Sequence, residues 1–332
     1  MCRYVIKLLT SCLFALTITS CGEVAKNPQT AFYRLSKTPI EFGVFSSDAT
    51  LATFVSQGVL TVSKADGTGI LHQFEIGGSK VTGLAISQDS TLLAVSFEKF
   101  IVVWNLINGA ELGKFNVVGS SEFAKISHIA LYAKPLKLLV GMTDGTLNLL
   151  DFENSLTKQV KYHDARISFL ALGSHRQLII SAGHDGLVSL HDANTLASTY
   201  QYRMSKRVTS LAHNFQHNVL FISDALNDQI LINPFAAELA VTKLKYKERF
   251  RWFRAAAISP DGQYLATGSS KFWWTLWHAS NGQEIGAFAM KAASTTALIL
   301  DMHINKQNML TTLNSDGIVE HWDINALLKM NR

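Results

Sequence analysis

Trp104-Asn105-Leu106-Ile107-Asn108-Gly109-Ala110-Glu111-Leu112-Gly113-Lys114-Phe115 and Trp277-His278-Ala279-Ser280-Asn281-Gly282-Gln283-Glu284-Ile285-Gly286-Ala287-Phe288 share one pattern. An apolar run ends on an indole, a polar turn closes on Asn-Gly, and an alternating strand follows. That reads as a β-hairpin. Trp322-Asp323 is a third copy, and Leu150-Asp151, His191-Asp192 and Ile232-Asn233 are weaker ones. In the first unit Ser63 takes the Trp place, with Leu71 and Phe74 at matching offsets. The anchors at 63, 104, 150, 191, 232, 277 and 322 are 41 to 46 residues apart.

A second motif precedes three of these anchors: Phe45-Ser46-Ser47-Asp48-Ala49, Ile86-Ser87-Gln88-Asp89-Ser90 and Ile258-Ser259-Pro260-Asp261-Gly262. Asp-Gly turns at 66–67, 144–145, 185–186, 261–262 and 316–317 separate short apolar strands. No long amphipathic helix interrupts them. Seven units of this length, each several strands long, call for a radial all-β repeat. Composition agrees: 332 residues, 48% hydrophobic and 17% charged, hold enough apolar mass for a sizeable core and exclude a disordered chain. Thirty basic against 25 acidic residues is too mild an excess to argue for nucleic acid.

The repeat resembles the WD-repeat β-propeller family over residues 30–324. The match is strongest in the second, sixth and seventh units and weakest in the fifth. The resemblance implies a seven-bladed propeller of four-stranded antiparallel blades, lettered a to d outward. It also implies that the first strand, Ala31 to Ser36, completes the blade that holds Trp322. The family's polar tetrad places His before strand a, Ser or Thr on b, Asp in the b–c turn and Trp on c. His163, Ser181 and Asp185 match in the fourth blade, with His191 in place of the Trp. Thr312, Asp316 and Trp322 match in the seventh, which lacks the His. Glu98 and Lys271 stand at the Asp place in the second and sixth.

The first 21 residues read as an address. Arg3 and Lys7 precede the apolar run Leu8 to Ser20, which at 13 residues is too short to span a bilayer. Ile18-Thr19-Ser20-Cys21 resembles the lipobox of bacterial lipoproteins, in which the Cys is lipidated and the peptide before it removed. All three cysteines, Cys2, Cys12 and Cys21, lie at or before that cut. The expected organisation is a signal peptide over 1–20, a lipidated Cys and tether over 21–29, and one propeller over 30–332. In Gram-negative lipoproteins an Asp after the Cys often retains the protein at the inner membrane, so by that resemblance Gly22 implies the outer membrane; the domain is expected to face the periplasm rather than the outside.

No phosphate loop, GxSxG elbow, HExxH or CxxC pair is present, so no enzyme, cofactor or metal is expected. The histidine-rich stretch around His163, His184, His191, His213 and His217 divides between structural positions and opposite ends of the blades. An envelope enzyme, or a binder of small ligands or cell-wall polymers, using the channel or the top face is the alternative. Inward polar residues at the strand a starts would favour it, yet those starts carry mostly apolar and small residues such as Ala255, Ala256 and Ala257.

The stronger signal is basic and aromatic. Lys243, Lys245, Lys247, Arg249, Arg251 and Arg254 alternate with Leu244, Tyr246, Phe250, Trp252 and Phe253. On the family's blade this is the outer strand of the fifth repeat and the loop into the sixth. Arg203, Lys206 and Arg207 occupy the equivalent loop one blade earlier, and Lys271-Phe272-Trp273-Trp274 a b–c turn. All open on the top face. Arg and Trp are enriched at interface hot spots. The expected role is a monomeric, non-catalytic scaffold for a protein partner, with membrane attachment through Cys21 and no nucleic acid.

Overall fold

The computed structural model describes residues 29–173, 178–226, 228–246, 252–269 and 272–330. Among them, seven four-stranded antiparallel sheets follow one another along the chain. Blades 1 to 6 span residues 42–75, 83–116, 126–161, 167–203, 208–243 and 253–289. Blade 7 takes strands a to c from residues 299–323 and its strand d from Gln29–Arg34. Strand a of each blade touches strand a of the next, and the seventh touches the first. The sheets therefore close into a ring around a central channel, a seven-bladed propeller.

Closure depends on the first described strand. Gln29–Arg34 pairs antiparallel with strand c of blade 7, Ile318–Asp323, with Ala31 opposite His321 and Arg34 opposite Ile318. It begins and ends two residues before the expected Ala31 to Ser36. Arg34 Nε donates to the Ser36 carbonyl at 3.0 Å, and Ser36 Oγ to the Thr38 carbonyl at 2.7 Å, so the chain turns away there.

The repeated Ser-x-Asp motif has one geometry wherever it occurs. Ser46 Oγ donates to Asp48 at 2.6 Å and accepts the Leu51 N–H at 2.9 Å. Ser87 does the same with Asp89 and Leu92, at 2.8 and 3.0 Å. Ser259 does so with Asp261 and Tyr264. Each motif is an a–b hairpin whose fifth residue, Ala49, Ser90 or Gly262, turns into the left-handed region at φ 54, 58 and 71°. The Asn-Gly turns join strands c and d. A Cβ on Gly282 would lie 2.3 Å from the Lys243 carbonyl of blade 5, so this glycine also permits close blade packing.

Burial falls from the middle of each blade outward. Strand b of blade 4, Leu178–Gly183, is buried at every position, because both its faces meet other blades. The outer strands alternate half-buried and exposed residues, as in Ser198–Arg203. Trp104, Trp277 and Trp322 are all buried. The single α-helix among the described residues, Ile324–Met330, was not expected. Asp323 caps it by accepting the Ala326 N–H at 3.1 Å, and Ile324 and Leu327, one turn apart, join the core around Trp322. No helix among the described residues is long and apolar enough to cross a membrane.

Candidate functional site on the top face

The polar network of blade 4 is the first chemical candidate. His163 Nδ1 lies 3.1 Å from Asp185 Oδ1, and its Nε2 lies 2.8 Å from Ser181 Oγ. Ser181 Oγ is in turn 2.8 Å from His191 Nε2. An ionised Asp185 orders the chain of donors: His191 to Ser181, Ser181 to His163, His163 to Asp185. Burial opposes ionisation of Asp185, but hydrogen bonds from His163 and from the Asp164 and Leu187 N–H groups hold its carboxyl below the usual range. Burial pushes the His191 imidazole down to about 4. The Asp-His-Ser order is that of a serine hydrolase. Here His163 and Ser181 have no exposed surface, so no substrate reaches the hydroxyl. The network joins strands b and c and both loops of the blade, which makes it a staple.

Blade 7 holds a different arrangement. Asp316 accepts from the Ala293 and Ser294 N–H groups at 2.6 and 2.7 Å, and from the Ser294 hydroxyl at 2.9 Å. A loop backbone thus takes the place of the missing His. Thr312 and Trp322 are buried on strands b and c, and the Trp322 indole N–H has no acceptor among the described residues. Blade 6 forms the Trp leg that the sequence reading did not assign: Trp277 Nε1 donates to Thr267 Oγ1 at 2.8 Å. Glu98 pairs with Lys125 at 2.8 Å across the top of blades 2 and 3. Among the described residues no three His, Cys, Asp or Glu side chains converge as a metal site.

The basic and aromatic residues divide three ways. Lys247, Arg249, Arg251 and Lys271 lie outside the described residues, as does Cys21. Several of the expected exposed rings are core instead. Leu244 and Phe253 are buried, and Tyr246 packs edge-on against Trp277 while its hydroxyl donates to Gln229 at 2.6 Å. The outer strand of blade 5 is only Val241–Lys243, so most of the basic run lies beyond it. Beyond it, the Lys245 N–H donates to the Gly282 carbonyl of blade 6 at 2.7 Å, which draws the chain off its own sheet. In Phe272-Trp273-Trp274 only Trp273 is exposed, at 38%. Trp274 is fully buried and meets Trp322 edge-on at 5.3 Å.

What the structure brings together is Arg207 and Trp252. The Arg207 guanidinium lies 5.5 Å from the Trp252 ring centre, and the Arg254 guanidinium 5.3 Å from the same ring. Lys206, Arg207, Ala225, Leu226 and Trp252 line a cavity of about 580 Å³ on this face. Leu226, 49% exposed, comes from the b–c turn of blade 5 and carried no sequence signal. Arg203 anchors the neighbouring edge by donating to the Asp185 carbonyl at 3.0 Å. The positive field is felt at His184. Burial first, then the Arg166 and Arg207 charges, hold its imidazole below the usual range.

The channel wall departs from the expectation of small apolar residues. Ala255 and Ala257 are buried between blades. His128, Tyr132 and Asp301, on strands a of blades 3 and 7, line a cavity within the channel.

No protein-family model matches the chain. It is 22% identical to NACHT and WD repeat domain-containing protein 2 of Homo sapiens over 79% of its length, covering 15% of that protein. It is 22% identical to protein tipD of Dictyostelium discoideum over 59% of its length, covering 32% of that protein. It is 23% identical to telomerase protein component 1 of Mus musculus over 74%, covering 9%. The chain thus spans a third or less of each of these relatives. The seven-bladed ring and these similarities together support a propeller of the WD-repeat type.

Proposed function

We propose that the chain is a non-catalytic scaffold of the bacterial cell envelope, anchored by a lipidated Cys21, that binds an acidic protein surface with its top face. The observation that carries this reading is the pair of guanidinium groups, Arg207 and Arg254, on one half-buried indole beside the exposed Leu226. Such a group offers charge for steering and an apolar anchor for affinity. Rigid blades suit the role, because they present loops without moving. Gln29 sits opposite Trp322, at the end of blade 7 away from the b–c turns. A tether of residues 22–28 leaving there would turn the top face away from the bilayer. The conclusion extends to a monomer in the outer membrane, facing the periplasm.

Two measurements test it. Fatty-acid labelling of the Cys21→Ala variant should be lost; unchanged labelling removes the anchor. Partners captured from detergent-solubilised membranes should fall away for Arg207→Glu with Arg254→Glu, at low salt most clearly. A folded double variant that keeps every partner makes the patch a solvated face only. A second reading, a ligand site in the channel, has its own observation in the cavity that contains Asp301.

A further inference from the structure

Residues of blades 1 to 4 and strand a of blade 7 line a cavity of about 360 Å³ in the channel, within the size range of small-molecule sites. Val44, Leu84, Ile86, Leu170 and Leu172 give it an aliphatic wall. Ser47, Gln88, His128, Tyr132 and Asp301 are its polar side chains, and no Lys or Arg among the described residues lines it.

Asp301 decides what this space can hold. Its Oδ2 accepts the Phe45 N–H at 2.8 Å across the seam between blades 7 and 1, and its Oδ1 accepts the Met302 N–H at 2.8 Å. Those are its hydrogen bonds, and no cation among the described residues pairs with it. Each carboxylate oxygen keeps a free acceptor site. Burial pushes the carboxyl up to about 6, against the two backbone hydrogen bonds. At neutral pH it is still mostly ionised, so the cavity holds a negative charge without a counter-ion.

His128 stands at the equivalent position of blade 3. Both residues follow the same irregularity in the a–b pairing, between Ile126 and His128 and between Ile299 and Asp301. Burial, and then the Arg166 charge, push its imidazole down to about 4, so it is a neutral ring. A neutral imidazole offers an acceptor. The Tyr132 hydroxyl adds another. The polar groups of this cavity can therefore accept hydrogen bonds, one of them as an anion, above an aliphatic wall.

We propose that the channel cavity binds a small organic ammonium cation, its nitrogen on the Asp301 carboxylate and its apolar body against Leu84, Ile86, Leu170 and Leu172. The ammonium supplies the missing counter-ion, and burial of its body supplies the remaining affinity. The site is separate from the top-face patch, so either reading can fail alone.

Three probes with one body test it: 2-phenylethylamine, 2-phenylethanol and phenylacetate, titrated calorimetrically onto the full chain in detergent near neutral pH. The amine should bind at least about tenfold more tightly than the alcohol, a difference of about 1.4 kcal/mol, and the acid should not bind. Asp301→Asn should erase the preference for the amine. Leu172→Trp, which fills the cavity from strand a of blade 4, should abolish binding of both. Equal affinities for amine and alcohol, or no amine binding at all, overturn the proposal. So does undiminished amine binding by a folded Leu172→Trp variant, which judges the site even if Asp301→Asn does not fold.

Discussion

Replacing Glu320 by Gln should stabilise the propeller at alkaline pH and leave it almost unchanged in acid. Glu320 lies on strand c of blade 7, paired with Phe32 of the closing strand and Thr312 of strand b. Its Oε1 accepts from the Gln29 side-chain amide and from the Lys291 N–H, the latter at 2.8 Å. Its Oε2 is buried and has no partner among the described residues. Burial pushes the carboxyl from 4.5 up to about 7, against the Lys291 hydrogen bond and charge. The folded chain therefore holds this proton more tightly than the unfolded chain does. Stability is complete below the unfolded value of 4.5 and falls as pH rises towards about 7. At 1.36 kcal/mol per pH unit the loss amounts to about 3 kcal/mol. Gln cannot ionise, so the variant escapes that loss. Protonated Glu and Gln have nearly the same shape, so little changes in acid. His128, His191 and His213, whose imidazoles burial pushes down to about 4, contribute the opposite slope, stability rising with pH. They are common to both chains and cancel in the comparison. Urea unfolding of the two proteins near pH 4.5 and pH 8 reads the difference from midpoints and slopes. A gain of the same size at both pH values, or none at either, would mean that closure places no burden on Glu320.

Deleting Gln29 to Arg34 should abolish cooperative unfolding, because strand c of blade 7 becomes an open edge; an unchanged melting temperature would show that the ring closes without its clasp. His163→Ala should cost about 3 kcal/mol, since it leaves the buried Asp185 and Ser181 without their shared partner. A loss below about 1 kcal/mol in urea unfolding, the range of surface pairs, would demote the staple. Thr267→Val should cost about 1–2 kcal/mol by orphaning the Trp277 indole N–H, and Trp277→Phe in the same chain should make that substitution nearly neutral.

The repeat, the blade count and the clasp follow from the order of the amino acids alone. Each repeat is built from local hairpins, and their sequence demands are short-range. Ser46 binds Asp48 and Leu51, and Asn105 accepts the Ile107 N–H at 2.8 Å, within five residues of chain. Contacts of that kind leave the same letters at the same spacing in several copies, so the period could be read directly. The blade 4 residues His163, Ser181, Asp185 and His191 are farther apart in the chain and were legible only through the resemblance to the family's tetrad.

Side-chain exposure was not legible, because it depends on where a strand begins. Strand c of blade 6 starts at Trp273, so alternation sends Trp273 out and Trp274 into the core against Trp322. One residue of register would exchange them. The basic run after Lys243 likewise read as strand and loop, until the Lys245–Gly282 hydrogen bond showed the chain leaving its blade. The top-face cluster and the channel cavity come from the assembled ring. Arg207 meets Trp252, and Asp301 shares a cavity with His128, because ring closure sets distant strands side by side. Nothing in the local sequence records that neighbour, since the forces that put it there act between blades.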